Sequence, residues 1–299
     1  MILSIVGNWH DAEAEHGLYL SNLIQKYILA NEVLEGPHTV GYYFVREVKD
    51  LILSRELSDL LLSNQILDRY KKNLGSASAS LIKELTQIFN YKRFTVKSSK
   101  WNAYSLCKKS KARICPYCNH AYAFTVQSDN GDFRPTLDHF FYKDEYPHLA
   151  LTLYNLIPSC STCNSSLKGQ ADFYKQPHLN PLFDSDNIEF YFSFGGDTSE
   201  LSEAIHSRRD DLQIKARAVT LCGRSENSLK TFVINERYDM LTVEAVDFYL
   251  AKASYDEAVI NTQLNLILDE PTSLRFDRAL HDKYLLGKMY ADIYDAFKI

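Results

Sequence analysis

Glycine and proline are scarce, with 11 and 8 residues among 299, and that scarcity excludes collagen-like repeats and low-complexity linker chains. No apolar run approaches the roughly 20 residues that a bilayer-spanning helix needs. The longest, such as "LALTLYNLIP", are short and broken by polar groups. The opening "MILSIVGNWHDAEAEHG" has neither a basic start nor a small-residue cleavage site, so a secretory signal is not expected. No G-x-x-x-x-G-K-[ST] stretch occurs, so the chain shows no P-loop nucleotide motif. These absences point to a cytoplasmic, reducing compartment. There, six cysteines indicate metal ligands ahead of disulfides.

Acidic residues are missing from one place in particular. The whole chain carries 33 Lys and Arg against 38 Asp and Glu, a net charge of −5, which argues against a generic polyanion binder. Positions 91–120, "YKRFTVKSSKWNAYSLCKKSKARICPYCNH", hold eight basic residues and no acidic one, so the remainder carries −13. A positive segment beside cysteines is the electrostatic footprint of a phosphate-backbone contact. Lys108, Lys109, Lys111 and Arg113, just before "CPYC", are the expected nucleic-acid contacts. A solvated charged face is the plainer reading of the same run.

Pattern divides the chain into three regions. Residues 1–105 place apolar side chains at three- and four-residue intervals in "LYLSNLIQKYILANEVL" and "GYYFVREVKDLILSRELSDLLLSNQILDRYKKNL", which predicts helices. "EGPHT" and "GSASAS" mark breaks between them. Residues 106–180 lose that period and concentrate cysteine and histidine. Residues 181–299 begin with a strand-like "IEFYFSF" stopped by "GGD". Helical patterns return in "LSEAIHSRRDDLQIKARAVTL", "EAVDFYLAKASYDEAVINTQLNLIL" and "RFDRALHDKYLLGKMYADIYDAF". The expected class is α+β and mostly α, with a small central core between helical flanks.

Cys115, Cys118, Cys160 and Cys163 form two Cys-x-x-Cys pairs separated by 41 residues. Two residues between thiolates let both sulfurs reach one tetrahedral ion at about 2.3 Å. Two such knuckles complete a closed site for structural zinc, with no position left for water. Cys107 and Cys222 stand alone and read as small buried hydrophobes.

Between the knuckles, "PTLDHFF" reads as a short strand ending at Asp138 and His139. "YNLIPS" reads as a second strand or extended turn carrying Asn155. "CSTCNSSLKGQADF" reads as the start of a helix, with Ser159 or Ser161 as its N-cap. Oxygen donors from Asp138 and Asn164 suit Mg²⁺. His139, with an ordinary pKa of about 6.5, suits a general base near neutrality. Full extension would set His139 on the opposite strand face from Asp138. Tyr117, Tyr142 and Tyr154 read as packing residues.

The order Asp-His, Asn, then Cys-x-x-Cys-Asn with Lys four residues on resembles the ββα-metal core of the HNH endonucleases in its His-Asn-Asn form. "CPYCN", "LDHF", "YPHLAL", "YNLIPSC" and "CNSSLKG" are similar to one branch of that superfamily, which includes the nuclease subunits of Septu-type and retron-associated antiviral systems. The resemblance covers about residues 115–170 and does not reach the first hundred. It implies that His139 activates water, that Asp138 and Asn164 hold Mg²⁺ or Mn²⁺, and that Asn155 fixes the loop and orients His139 through its side-chain carbonyl. It also implies that Lys168 touches phosphate. DNA is the favoured substrate, with RNA, tRNA included, as the alternative. A catalytically idle zinc module that docks nucleic acid or a protein is the reading from another class. An ATPase partner subunit, or a homodimer built through the helical flanks, is implied in the same way.

Overall fold

Helix α1 (Glu13–Glu32) buries Leu20, Ile24 and Ile28, a single stripe at four-residue spacing, as an amphipathic helix on a core requires. The computed structural model describes residues 2–33, 38–194, 205, 212–220, 222–262 and 269–297. The long pattern after "EGPHT" forms two helices, α2 (Val40–Ile52) and α3 (Leu57–Leu74). Ser54 divides them: its hydroxyl donates to Asp59 at 2.6 Å and accepts from the Glu56 amide at 3.1 Å, the local bonding by which serine competes with helix. Helix α4 (Ser78–Ile88) starts inside "GSASAS", after Gly75 closes α3 at φ 54, a conformation that favours glycine. Two short helices, α5 (Tyr91–Phe94) and α6 (Ala103–Lys108), carry the chain to the first knuckle.

Three two-stranded antiparallel sheets follow among the described residues. Strands β1 (Val126–Ser128) and β2 (Gly131–Phe133) form an exposed hairpin. Strands β3 (Thr136–His139) and β4 (Leu156–Ser159) pair so that Asp138 faces Ile157 and His139 faces Leu156. Strands β5 (Ile188–Phe194) and β6 (Leu212–Ala218) pair from Ile188↔Ala218 to Phe194↔Leu212. The last pairing corrects the sequence reading: "LQIKARA" is a strand, not part of a helix. It buries Leu212, Ile214 and Ala216 in alternation, which is the two-residue period of a half-buried strand. Most of the preceding "LSEAIHSRRDD" and all of "GGD" lie outside the described residues.

Helices α7 (Gly223–Thr231), α8 (Ile234–Asp239), α9 (Thr242–Thr262), α10 (Glu270–Leu274) and α11 (Gly287–Ala296) complete the described chain. The last helical pattern is interrupted at Leu286, whose φ is 60. The class is α+β, mostly helical, and no helix among the described residues is long and apolar enough to cross a membrane. One apolar core runs from Ile2 to Ile293. The outer regions grip the centre directly. Ile2 and Leu3 amides donate to the Pro116 carbonyl at 2.9 and 3.1 Å. Trp9 Nε1 donates to Leu156 O at 2.9 Å. Leu286 N donates to Asn119 O at 2.7 Å.

Candidate active site and metal centre

The first knuckle turns tightly at Cys115–Cys118. Asn119 sits at φ 50, and its amide closes back on the Cys115 carbonyl at 2.8 Å. The second pair lies where β4 gives way to the following helix. All four sulfurs fall within 4.8 Å of one another, with Cys118 and Cys160 at 4.0 Å. A tetrahedral ion with 2.3 Å bonds spaces its sulfurs by about 3.8 Å, so the donor set fits zinc. None of the four is in a disulfide. Hydrogen bonds from Cys115 lower the Cys118 and Cys160 thiols, while Cys115, through burial, and Cys163, against its bond to Cys115 and through its bonds to Cys118 and Cys160, are raised. Protons held by two of the four thiols would have to leave for a metal to bind all four sulfurs.

Arg237 on α8 covers this cluster. Its Nη1 lies 3.5 Å from Cys163 Sγ and its Nη2 lies 2.8 Å from His120 Nδ1. Tyr238 donates its hydroxyl to the Cys118 carbonyl at 2.7 Å. A four-thiolate zinc centre carries two net negative charges, and a guanidinium beside it offsets part of that charge. Nothing in the local sequence of the knuckles announces a residue 74 positions beyond Cys163.

Asp138, His139, Asn164 and Lys168 line one cavity of about 250 Å³, together with Tyr91, Leu137, Tyr142, Lys143, Ser165 and Gly169. Asp138 and His139 thus share a cavity that full extension would have divided between two faces; β3 ends at His139. The Nε2 of His139 bonds the Ala150 carbonyl at 3.0 Å. A carbonyl only accepts, so Nε2 carries the proton and Nδ1 is the lone-pair nitrogen. The ring meets Tyr91 edge-on at 4.5 Å. Burial pushes the imidazole down to about 4, against the opposing charge of Asp138 and the bond to Ala150. Neutral His139 is therefore the form present at physiological pH, with Nδ1 able to take a proton.

Asn155 is fully buried and ties a loop together. Its Oδ1 accepts from the Phe141 amide at 2.7 Å, and its Nδ2 donates to Phe141 O at 3.1 Å and Leu149 O at 3.0 Å. These bonds tie Phe141 and Leu149 to the residue just before β4. The side-chain carbonyl does not reach His139, however; the backbone carbonyl of Ala150 orients the ring. Asn155 is linked to the His139 ring only through the loop that carries Ala150.

The second pair leads into a π-helix, Thr162–Lys168, not an α-helix. Ser161 occupies the N-cap position but makes no side-chain cap bond, and Ser159 pairs within β4. The Gly169 amide bonds Asn164 O at 3.0 Å across five residues, and Gly169 leaves at φ 51. Single-turn π segments occur often at functional sites.

Lys168, which the resemblance assigns to phosphate, is buried and already paired. Its side chain is 1% exposed and pairs with that of Asp138, itself 2% exposed. Nζ lies 2.8 Å from Asp138 Oδ1 and 2.6 Å from the His139 carbonyl. The other carboxylate oxygen accepts the Tyr117 hydroxyl at 2.6 Å. Tyr117 stacks on Phe232 at 4.4 Å, so it packs as the sequence suggested and also holds the acid. The Asn164 side chain makes no hydrogen bond among the described residues. Asp138 and Asn164 together offer the hard oxygen donors that suit Mg²⁺ or Mn²⁺. In this structure the positive charge beside Asp138 is the Lys168 ammonium.

The basic segment lies elsewhere. Lys108 and Lys109 line a larger groove of about 800 Å³ with Tyr19, Lys100 and Trp101. Lys109 pairs with Glu15 at 2.8 Å and Lys111 with Asp11 at 3.5 Å, while Arg113 is exposed. None of the four lines the His139 cavity. Tyr91 and Lys143, which do, escaped the sequence reading, and Tyr142, read there as a packing residue, also lines it. Lys143, four residues past His139, had proximity as its only signal.

No family model matches the chain, and no solved structure matches it. A comparison with curated proteins finds the Septu protein PtuB of Bacillus thuringiensis, 37% identical over 71 residues. The match covers 24% of this chain and 25% of that protein, so the similarity spans a quarter of each.

Proposed function

We propose that the chain is an HNH-type, metal-dependent nuclease that hydrolyses phosphodiester bonds of nucleic acid, DNA ahead of RNA. We propose further that it acts as an effector of antiviral defence. The observation that carries this reading is the imidazole of His139, anchored through Nε2 by the Ala150 carbonyl in a cavity shared with Asp138, Asn164 and Lys168. Such a ring presents Nδ1 as a base of fixed direction. The sequence similarity to PtuB supports the defence role, and a partner subunit belongs to the same reading.

In the proposed reaction, Nδ1 of His139 removes a proton from a water that attacks phosphorus in line with the departing 3′ oxygen. The products carry 5′-phosphate and 3′-hydroxyl ends. Asp138 and Asn164 would hold the divalent cation, which when bound supplies charge stabilisation to the phosphoryl oxygens and the leaving group. Asn155 keeps the loop of Ala150 in register. Lys143, at the cavity wall, is placed for a phosphate contact. Zinc at the four cysteines would fix β4 and the π-helix relative to the first knuckle.

A plasmid-nicking assay with Mg²⁺, Mn²⁺ or EDTA tests the proposal. Cleavage should require the cation and vanish in His139→Ala, since a general base contributes about 10²–10⁴-fold. The variant should retain about one equivalent of zinc, as one closed four-thiolate site implies. Equal cutting by variant and parent refutes the assignment. The idle-module reading draws on one observation, that both Asp138 oxygens already have hydrogen-bond donors; it predicts binding without cation-dependent cutting in the same assay. Size-exclusion chromatography with the product of a neighbouring gene tests for the partner subunit.

A further inference from the structure

We infer that Lys168 is the resident counter-ion of Asp138, and that a divalent cation reaches this carboxylate only by exchanging with its ammonium. This inference rests on reading the cavity as a cation-dependent site. It adds that cation loading is regulated by a residue of the chain itself.

The contacts specify the exchange. Lys168 Nζ has two oxygen partners, Asp138 Oδ1 at 2.8 Å and His139 O at 2.6 Å, and lies over the Phe173 ring at 4.8 Å. Tyr117 occupies Asp138 Oδ2, so neither carboxylate oxygen lacks a donor. A Mg²⁺ or Mn²⁺ ion bound about 2.1 Å from Oδ1 would stand within about 4.9 Å of Nζ. Like charges at that range in a buried site repel strongly, and one carboxylate charge offsets only part of that repulsion. Departure of the ammonium is therefore what the cation's entry favours.

The chain is built to let it leave. The π-helix ends at Lys168 and turns out through Gly169 at φ 51, which sets the lysine stem at the cavity wall. Lysine carries a compact, strongly hydrated charge on a flexible four-carbon stem, so its head can swing into the cavity without moving backbone. Asn164, on the same wall, has an amide with no hydrogen bond among the described residues, so its oxygen is open to a cation. The His139 carbonyl gripped by Lys168 belongs to the residue whose ring is the proposed base. Departure of the ammonium therefore also releases a hydrogen bond at the base.

The consequence is regulatory. The apparent affinity for a cation scales with the fraction of molecules in which Lys168 has vacated Asp138. Whatever stabilises the displaced ammonium, such as a phosphate in the cavity, raises cation affinity by the same factor that the cation raises phosphate affinity. The site thus loads its cation most readily when substrate is present.

The test uses the zinc-loaded full chain and Mn²⁺, followed by electron paramagnetic resonance, in the parent, Lys168→Met and Asp138→Asn. Lys168→Met should bind Mn²⁺ at least about tenfold more tightly than the parent, and Asp138→Asn should lose the site. If Lys168→Met binds no more tightly while Asp138→Asn still loses binding, the exchange is wrong and the cation site stands. If Asp138→Asn binds as the parent does, or no protein binds Mn²⁺, the cation site fails and takes the exchange with it. Since Lys168→Met strands a buried carboxylate and can unfold, the parent supplies an independent readout. Acetylation of Lys168, read by mass spectrometry, should be suppressed in EDTA and appear at saturating Mn²⁺. Reactivity unchanged by Mn²⁺ overturns the exchange.

Discussion

Mild acid should unfold this protein through two buried histidines remote from the cysteines. His16 is neutral by construction: its Nε2 bonds Leu151 O at 2.7 Å, and its Nδ1 accepts from Trp101 Nε1 at 3.1 Å. A proton on Nδ1 would break the second bond inside the core. Burial lowers His16 from 6.5 to about 4. It lowers His148 to about 3, whose Nε2 meets Ser63 Oγ at 3.1 Å and whose Nδ1 is buried without a partner. Both folded values lie below the unfolded value of 6.5. The unfolded chain therefore binds more protons between them, so stability is complete above pH 6.5 and falls as pH drops towards 4 for His16 and 3 for His148. At pH 5 each site has lost about 2 kcal/mol, or about 4 kcal/mol together. Total stabilities are only about 5–15 kcal/mol. Urea unfolding followed by far-UV circular dichroism, in excess zinc from pH 7.5 to 5, should show a steep decline. Near pH 5.5 these two sites alone contribute about 2.4 kcal/mol per pH unit. Thiolate protonation also weakens zinc in acid, so the decisive comparison is with His16→Gln and His148→Leu. Each should lower the slope by nearly one proton, whatever its effect on stability at pH 7.5. An identical slope in parent and both variants refutes the reasoning. The effect also bears on the site, because Leu151, held by His16, directly follows Ala150, whose carbonyl holds His139.

Asn155→Ala should destabilise the chain by about 3 kcal/mol, since it removes three buried hydrogen bonds to backbone. It should also cut nuclease activity at least tenfold at temperatures where the variant is still folded; thermal melting with parallel nicking assays checks both. Arg237→Met should release zinc faster to a chromophoric chelator, while its circular dichroism in excess zinc matches the parent; unchanged release would deny the guanidinium any role at the thiolates. Neutralising Lys108, Lys109, Lys111 and Arg113 with Gln should weaken nucleic-acid binding and flatten its salt dependence by up to about 0.9 in log–log slope for each phosphate no longer neutralised. An unchanged slope would return those residues to an ordinary solvated face.

Several features were legible because they are local. Each Cys-x-x-Cys pair sets its own two sulfurs, and the Asp-His step, Asn155 and Asn164 stand at spacings that a strand, turn and helix can bring together. The stripe Leu20, Ile24 and Ile28 announces α1. The alternation in "LQIKARA" was equally open to reading, but the charged residues before it resembled the solvent face of a helix, and its partner strand lies some twenty residues earlier. Strand identity depends on pairing, and pairing is not local.

From the sequence alone came the donors: four thiols in two pairs, an imidazole, a carboxylate and two amides, with a local positive segment nearby. Tertiary structure alone decided how they are used. A backbone carbonyl has no signature in sequence, so Ala150 could not be foreseen as the group that aims His139. The fold of β3 and the π-helix brought Lys168 onto Asp138, and Arg237 met the thiolates only because α8 packs on the first knuckle. Residue type limits what chemistry is possible. The position of each charge relative to its neighbours, which only the folded chain specifies, determines which of those possibilities is realised.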